Sequence, residues 1–288
     1  LEELRRQFPQ HELAVEFPRK LAFGYEKAGR LPEAAALYLY LYQNDKDDAG
    51  KRDALFATAG LHEKTGRSGE ALEYYKTWAR SYEQPFDNRM EARYRIAVIY
   101  DQQKDDTRKL FWLRRIIEGD ATAGTQRTDR SQWLAAWAAN EYGDYFAKEF
   151  NSRRLASNLE RNLPWKQQML QDAVTRYQQA ADYGLLEFTT RSSFRIAGLY
   201  LQFAEELRAL PVPAGLSETD AATFRAIIDD QAAPMQELAI AVYSSNVEQA
   251  WQGHFNEWID NSFRQLAILT PARFNKYEIQ KRYGDEIR

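Results

Sequence analysis

The chain contains no cysteine, which excludes disulfide bonds, thiolate metal sites and a cysteine nucleophile and fits cytoplasm and bacterial periplasm equally well. Histidine is almost as scarce. His11, His62 and His254 are the only three, and no two share the spacing that sets a pair of imidazoles on one helix face, so no metal site is expected. An excess of one charge is missing as well: 39 Lys and Arg stand against 42 Asp and Glu, a net charge of −3. Without a positive field, neither nucleic acid nor an anionic membrane surface is an expected partner. No apolar run approaches the roughly 20 residues that span a bilayer, so direct membrane insertion is not expected. The chain opens on Leu1 with neither an initiator Met nor a signal-peptide pattern, which reads as an excised or processed piece of a longer protein.

Strand-like alternation between turn pairs is also lacking, and apolar residues recur at three-to-four spacing along nearly every long segment, which predicts an all-helical protein. Aromatic residues make up 14% of the chain, most at helical spacing suited to packing between helices. The segment EKAGRLPEAAALY, Glu26 to Tyr38, recurs as EKTGRSGEALEYY, Glu63 to Tyr75, 37 residues later, and Ala22 recurs as Ala59. Self-similarity at this period predicts stacked helical hairpins, none of which can bury its apolar face alone.

The first hairpin is expected from about Glu12 to Gln43, with Gly29 closing one helix and Pro32 opening the next. The second spans about Arg52 to Tyr82. The third opens near Asn88; RIAVIY places Ala97 and Tyr100 in register with Ala22 and Tyr25, but Lys109 stands where the other second helices carry alanine. That copy is either degenerate or built on a turn of different length. Beyond Gly124 the units lengthen, which suggests one part over residues 1–124 with three hairpins and a second over 125–288 with longer, irregular ones. Residues 129–158 read as one helix and 164–182 as its partner, with Ala173 and Tyr177 repeating the alanine–tyrosine spacing. RIAGLY, Arg195 to Tyr200, echoes the third hairpin. Pro211 to Asp220 reads as a long connection or a domain seam, with Ser217 positioned to cap the next helix and Pro234 to kink or split it.

The spacing of Ala22, Tyr25, Gly29, Ala34 and Tyr38, with its copy, resembles the tetratricopeptide repeat (TPR), which implies an α-solenoid of TPR-like hairpins acting as a protein-interaction scaffold. A narrower resemblance rests on FWLRRIIEGDATAGTQRTDRSQWLAAWAA, DYGLLEFTTRSSFRIAGLY, DDQAAPMQELAIAVYSSN and FNEWIDNSFRQLAILTPARFNKYE. These strings look like segments of bacterial periplasmic TPR proteins associated with TolQ/ExbB-type envelope motors, the TonB-like class, and with gliding motility. That resemblance alone implies a periplasmic or outer-membrane-associated place and cell-envelope motor components as partners; a cytoplasmic place is the alternative.

Motifs that would carry catalysis are weak. The acid pairs Asp47-Asp48, Asp105-Asp106, Glu205-Glu206 and Asp229-Asp230 point about 100° apart on a helix and suit caps or solvated faces. Gly119 to Gly124 lacks the strand before and the Gly-Lys-Ser/Thr after that a phosphate loop needs, and reads as an inter-hairpin loop. RTDRSQW, Arg127 to Trp133, reads as a helix start capped by Asp129 or Ser131 in preference to an anion site. Neither a cofactor nor enzymatic activity is expected; a muramidase built on a helical superstructure is the weakest of the three readings.

In the TPR family the first helix of each hairpin faces a concave surface, at positions three before, one after and four after the small residue. Carried over, this gives Arg19, Phe23 and Glu26; Phe56, Gly60 and Glu63; Tyr94, Val98 and Asp101; and Phe194, Gly198 and Leu201. The candidate groove is therefore Arg19, Phe23, Glu26, Phe56, Glu63, Tyr94, Asp101 and Phe194, an aromatic stripe flanked by Lys27 and Lys64 that suits an extended or helical peptide. The same stripe also fits inter-hairpin core, and the alternative function is a structural spacer or oligomerisation segment without a free groove.

Overall fold

The computed structural model describes Glu3, Gln7 and residues 16–275. His11, the expected hairpin start at Glu12 and the tail beyond Asn275 lie outside the described residues. The described residues form twelve α-helices and no strand. Two compact units divide between Ala138 and Ala139.

The first unit holds three hairpins: α1 (Phe17–Lys27) with α2 (Leu31–Asn44), α3 (Asp48–Lys64) with α4 (Ser68–Ser81), and α5 (Phe86–Gln102) with α6 (Asp106–Ala121). Each turns through one left-handed residue, Gly29 (φ 74°), Gly66 (φ 76°) and Lys104 (φ 59°). The same backbone bond closes all three turns: Arg30 N–H donates to Tyr25 O at 2.9 Å, Arg67 to His62 at 2.9 Å and Asp105 to Tyr100 at 3.0 Å. This is the Schellman closure that glycine favours. Lys104 follows Ala97 by seven residues, as Gly29 follows Ala22 and Gly66 follows Ala59. The third turn therefore has the ordinary length, and the copy departs in its residues: Lys109 does occupy the alanine position. Asp47 and Asp105 cap α3 and α6, accounting for two of the acid pairs by helix-end satisfaction.

The helix α7 (Asp129–Asn151) runs through the division and starts the fourth hairpin with α8 (Leu159–Ala181). The fifth is α9 (Leu186–Arg208) with α10 (Glu218–Glu248), followed by α11 (Glu257–Leu269) and a single turn, α12 (Pro271–Phe274). Several boundaries differ from expectation. The stretch Gly119–Gly124 is not a loop throughout, since α6 continues to Ala121 with Gly119 buried against Met90 and Arg93. The cap of α7 is Thr128, not Asp129 or Ser131: Thr128 Oγ1 accepts from Ser131 N–H at 3.1 Å while Ser131 Oγ accepts from Thr128 N–H at 3.0 Å. That reciprocal pair is a capping box. The helix α7 ends at Asn151, α8 starts a turn before Pro164 because Asn158 caps it, and α10 continues through Pro234 as one helix. Ser217 caps α10, accepting from Asp220 N–H at 3.1 Å.

In the first, second and fifth hairpins a pair of small residues at the crossing lets the two helices approach. Ala22 and Ala34, Ala59 and Ala71, and Ala197 and Ala239 are all fully buried, so backbones meet where larger side chains would hold them apart. In the fourth hairpin Ala173 keeps its place and Gly143 makes the close contact: a Cβ there would stand 2.6 Å from the Tyr177 ring. A buried polar node ties α9, α10 and α11. The Asn246 amide donates to Thr190 O at 3.1 Å and Ser262 Oγ at 2.9 Å, and the Asn256 amide donates to Thr190 Oγ1 at 2.8 Å.

Substituting Ala71→Leu or Gly143→Ala forces extra carbons into these crossings, with an expected loss of about 1–3 kcal/mol. Urea unfolding of both variants checks this, and unchanged midpoints would place the crossings elsewhere.

Candidate functional site

A second register follows from the alanine crossings. Four residues after the small residue of each second helix come Tyr38, Tyr75, Leu113, Tyr177 and Tyr243 in the five hairpins; four after that of each first helix come Glu26, Glu63, Asp101, Asp144 and Leu201. The two positions face each other across the hairpin. Tyr38 donates its hydroxyl to Glu26 at 3.5 Å, Tyr75 to Glu63 at 2.9 Å and Tyr177 to Asp144 at 2.6 Å. In the third hairpin leucine replaces the tyrosine, and Lys109 reaches from the alanine position to Asp101 at 2.9 Å. A cation of the following hairpin also approaches the carboxylate: Lys64 lies 3.7 Å from Glu26, Arg95 3.4 Å from Glu63 and Arg195 3.8 Å from Asp144. Arg95 and Arg195 open the echoed RIAVIY and RIAGLY strings, so that echo encodes a bridge to the preceding hairpin. Arg191 adds a contact to Asp144 at 2.5 Å.

The predicted groove residues divide accordingly. Glu26 and Glu63 are engaged within and between hairpins, and Asp101 within its own. Arg19 is exposed and paired with Asp45 at 2.8 Å. Phe23 is 56% exposed, with the Lys27 ammonium 5.2 Å from its ring centre; it is the one aromatic of the set that is mostly open to solvent. Phe56, Tyr94 and Phe194 are half-buried. Phe56 sets its ring edge-on to Tyr75 (5.7 Å) and Trp78 (5.6 Å). Tyr94 meets Trp137 at 4.7 Å and Trp133 at 6.3 Å, and Phe194 meets Tyr243 and Trp258, both at 5.6 Å. Such T-shaped and tilted contacts are the favoured aromatic geometry. His62, at the position of Tyr25, is buried with Nδ1 2.8 Å from Glu70 Oε2.

Sequence reasoning missed the fourth hairpin's share of this register: Trp137 three before Asn140, and Asp144 four after it. Asn140 stands buried where the other first helices carry alanine, so the small residue that marks the register is absent there. The pairing of an acid with the tyrosine of Ala173-x-x-x-Tyr177 was the signal available.

Within the second unit the first-helix positions of the fifth hairpin line a cavity of about 330 Å³. Phe194, Arg195, Gly198, Leu201 and Glu205 of α9 line it with Tyr243 of α10 and Gln265 of α11, and Asn151 and Tyr177 of the fourth hairpin border it too. Gly198 lies on the cavity floor, where an added Cβ would make an ordinary contact 3.6 Å from the Tyr243 hydroxyl, as one at Gly60 would with Tyr75. Among the described residues, no group of three or more His, Asp or Glu is arranged to hold a metal ion, and no helix is long and apolar enough to cross a membrane.

Burial, and then the neighbouring carboxylate, raises the phenol pKa of Tyr75 beside Glu63 and of Tyr177 beside Asp144. Burial, with Glu205 second, pushes Tyr243 up to about 12.

No protein-family model matches the chain, and none of the curated proteins matches it. Among solved structures, a TPR-repeat protein from Bacteroides fragilis NCTC 9343 is similar at 15% identity, covering 88% of this chain and 98% of its own, with a TM-score of 0.51. A tetratricopeptide repeat protein from Parabacteroides merdae ATCC 43184 (18% identity, 91% and 88% covered, TM-score 0.39) and BtubC from P. vanneervenii (16%, 89% and 89%, 0.39) also align. The first likeness shows the fold: an all-α protein of TPR-type hairpins.

The raised tyrosine values set the sign of an alkaline effect. A phenol whose folded pKa lies above its unfolded value near 10 contributes stability in full below that pH, and the contribution is lost as pH rises through the folded value. Unfolding free energy is therefore expected to fall above pH 10, by up to about 1.4 kcal/mol per pH unit for each tyrosine that only the unfolded chain ionises. Tyr75→Phe and Tyr177→Phe should each flatten that slope. Denaturant titrations from pH 8 to 11 check this, and a pH-independent midpoint would contradict it.

Proposed function

We propose that the protein is a non-catalytic scaffold that holds a protein or peptide partner on the inward faces of its first helices. The observation that carries this reading is the cavity on α9, where an aromatic wall and Leu201 take the place of the hydrogen-bonded closure found in the other hairpins. Phe23 offers a further anchor in the first unit, exposed and beside a lysine. A cavity at the bottom of the roughly 300–1,000 Å³ range in which proteins hold small molecules suits a side chain of a larger partner better than a free cofactor. The TPR-type fold supports shape and repeated weak contacts, in preference to bond chemistry, as the working mechanism.

The second-half strings that look like envelope TPR proteins support a finer proposal: a place in the bacterial periplasm or at the outer membrane, within a motor-linked, TonB-like or motility assembly. Motor components are then the proposed partners.

Phe23→Ala removes an exposed ring and Leu201→Asp places a charge on the cavity wall. Both should leave the thermal midpoint within a few degrees while weakening capture of a defined partner at least about fivefold, the effect of losing an interface anchor of 1 kcal/mol or more. Crosslinking in intact cells identifies that partner, and titration with the purified component gives the affinities. Two variants that melt normally and bind with unchanged affinity would remove the inward face from the function and favour a structural spacer.

A further inference from the structure

The fifth hairpin breaks the tyrosine–carboxylate rule, and its break is not compensated inside the described residues. Leu201 occupies the place of Glu26, Glu63 and Asp144. Tyr243 is 2% exposed and lines the cavity, yet its hydroxyl has no hydrogen-bond partner among the described residues. Where the third hairpin lost its tyrosine, Lys109 took over the acid; here no group has taken over the tyrosine. The hydroxyl opens into the cavity and is not sealed in the core, so an acceptor carried by a ligand can reach it.

The charge of that ligand follows from what else lines the cavity. Glu205, one turn beyond Leu201, is exposed and has neither an ion pair nor a hydrogen bond among the described residues. Arg195 is directed elsewhere, 3.8 Å from Asp144 with its guanidinium 5.6 Å from the Trp258 ring centre. Gln202, the other polar group of that wall, is spent on Asn151 at 2.5 Å and Glu206 at 3.0 Å. Glu206 in turn holds the buried Lys166 at 2.8 Å. One carboxylate is thus left uncompensated, next to the faces and edges of Phe194 and Tyr243 and the apolar Leu201.

Resting on the scaffold reading above, we propose that this cavity takes a lysine or arginine side chain from an extended segment of the partner. The aliphatic stem packs on Leu201 and Phe194, the cationic head pairs with Glu205 beside the aromatic rings, and the Tyr243 hydroxyl donates to a main-chain carbonyl of the same segment. The ligand carbonyl fills the acceptor place that a carboxylate fills in three other hairpins. An acidic segment is disfavoured because Glu205 repels it.

The test uses the whole chain and four small probes: N-acetyl-lysine methylamide, N-acetyl-arginine methylamide, N-acetyl-norleucine methylamide and N-acetyl-glutamate methylamide. With leucine methyls isotopically labelled, the basic probes are expected to shift the Leu201 resonance with millimolar affinity, at least tenfold better than the other two. Glu205→Gln should abolish that preference. Tyr243→Phe should weaken the basic probes several-fold while leaving the thermal midpoint unchanged, in contrast to Tyr177→Phe, whose hydroxyl has a partner. The proposal is overturned if no probe shifts Leu201, if norleucine or glutamate binds as well as lysine, if Glu205→Gln binds as wild type, or if Tyr243→Phe lowers the midpoint as Tyr177→Phe does. The scaffold reading is judged on capture of the whole partner by Phe23→Ala and Leu201→Asp together and this pocket on the four small probes, so the failure of one and the failure of the other give separate results.

Discussion

The fold depends on how closely two helices approach where they cross. With alanine at both crossing positions, as at Ala59 and Ala71, the backbones meet, and neither side chain reaches solvent. A close crossing leaves the residues one turn further on facing each other at hydrogen-bond distance, which is why a tyrosine and a carboxylate recur there. It also leaves a gap to the next hairpin, which rings fill: Tyr75, Trp78 and Tyr100 share one core with Leu55, Ile96 and Ile99. The small residue, the tyrosine and the acid are therefore consequences of one geometric requirement.

Departures from the pattern show how it tolerates change. Lys109 replaces a crossing alanine and carries its ammonium out to Asp101, so the lost tyrosine hydrogen bond is exchanged for a charge-assisted one. Asn140 replaces another small residue and is kept by donating to Ser192 at 2.8 Å. Gly143 gives up a side chain so that Tyr177 can lie against the backbone. Lys109 and Gly143 answer the loss they cause within the hairpin, whereas Asn140 is satisfied only at its amide nitrogen and keeps a buried Oδ1 without a partner. Its bond to Ser192 reaches the next hairpin, as expected of a stack in which a unit is stable only through its neighbours.

The legible part of the sequence was the part set by this geometry. Ala22, Ala34, Ala59 and Ala71 marked the first two hairpins because each crossing needs a residue of that size, and Gly29 and Gly66 marked the turns because a left-handed residue favours glycine. Hairpin four was obscure for the same reason: Asn140 and Gly143 satisfy the geometry by other means, and longer helices stretch the acid-to-tyrosine interval from Glu63–Tyr75 to Asp144–Tyr177. The candidate groove was read from the repeat register, and the engagement of each of its residues was not visible there. Whether Glu63 is a free acid or a bridge depends on Tyr75, twelve residues away, and on Arg95 in the next hairpin. Likewise the cap of α7 was misplaced because Thr128, Asp129 and Ser131 are all good capping residues, and only the reciprocal pair with Ser131 decides among them.

The same accounting separates inward positions that complete the fold from those left for something else. In the first unit, Glu26, Glu63 and Asp101 carry opposite charges from Lys64, Arg95 and Lys109, so an incoming partner finds their charge already neutralised. Desolvating such a pair costs a ligand more than it returns unless the geometry is replaced in full. The aromatic residues of the candidate groove differ too, since Phe56 sets its ring against Tyr75 and Trp78 while Phe23 is mostly exposed with Lys27 beside it. Among the described residues, the ring of Phe23 stands open in one unit, and in the other the Glu205 carboxylate and the Tyr243 hydroxyl face the cavity. A repeat that satisfied itself everywhere would present only neutralised charge and packed rings at these positions, and the places where this one does not are where its surface chemistry is left open.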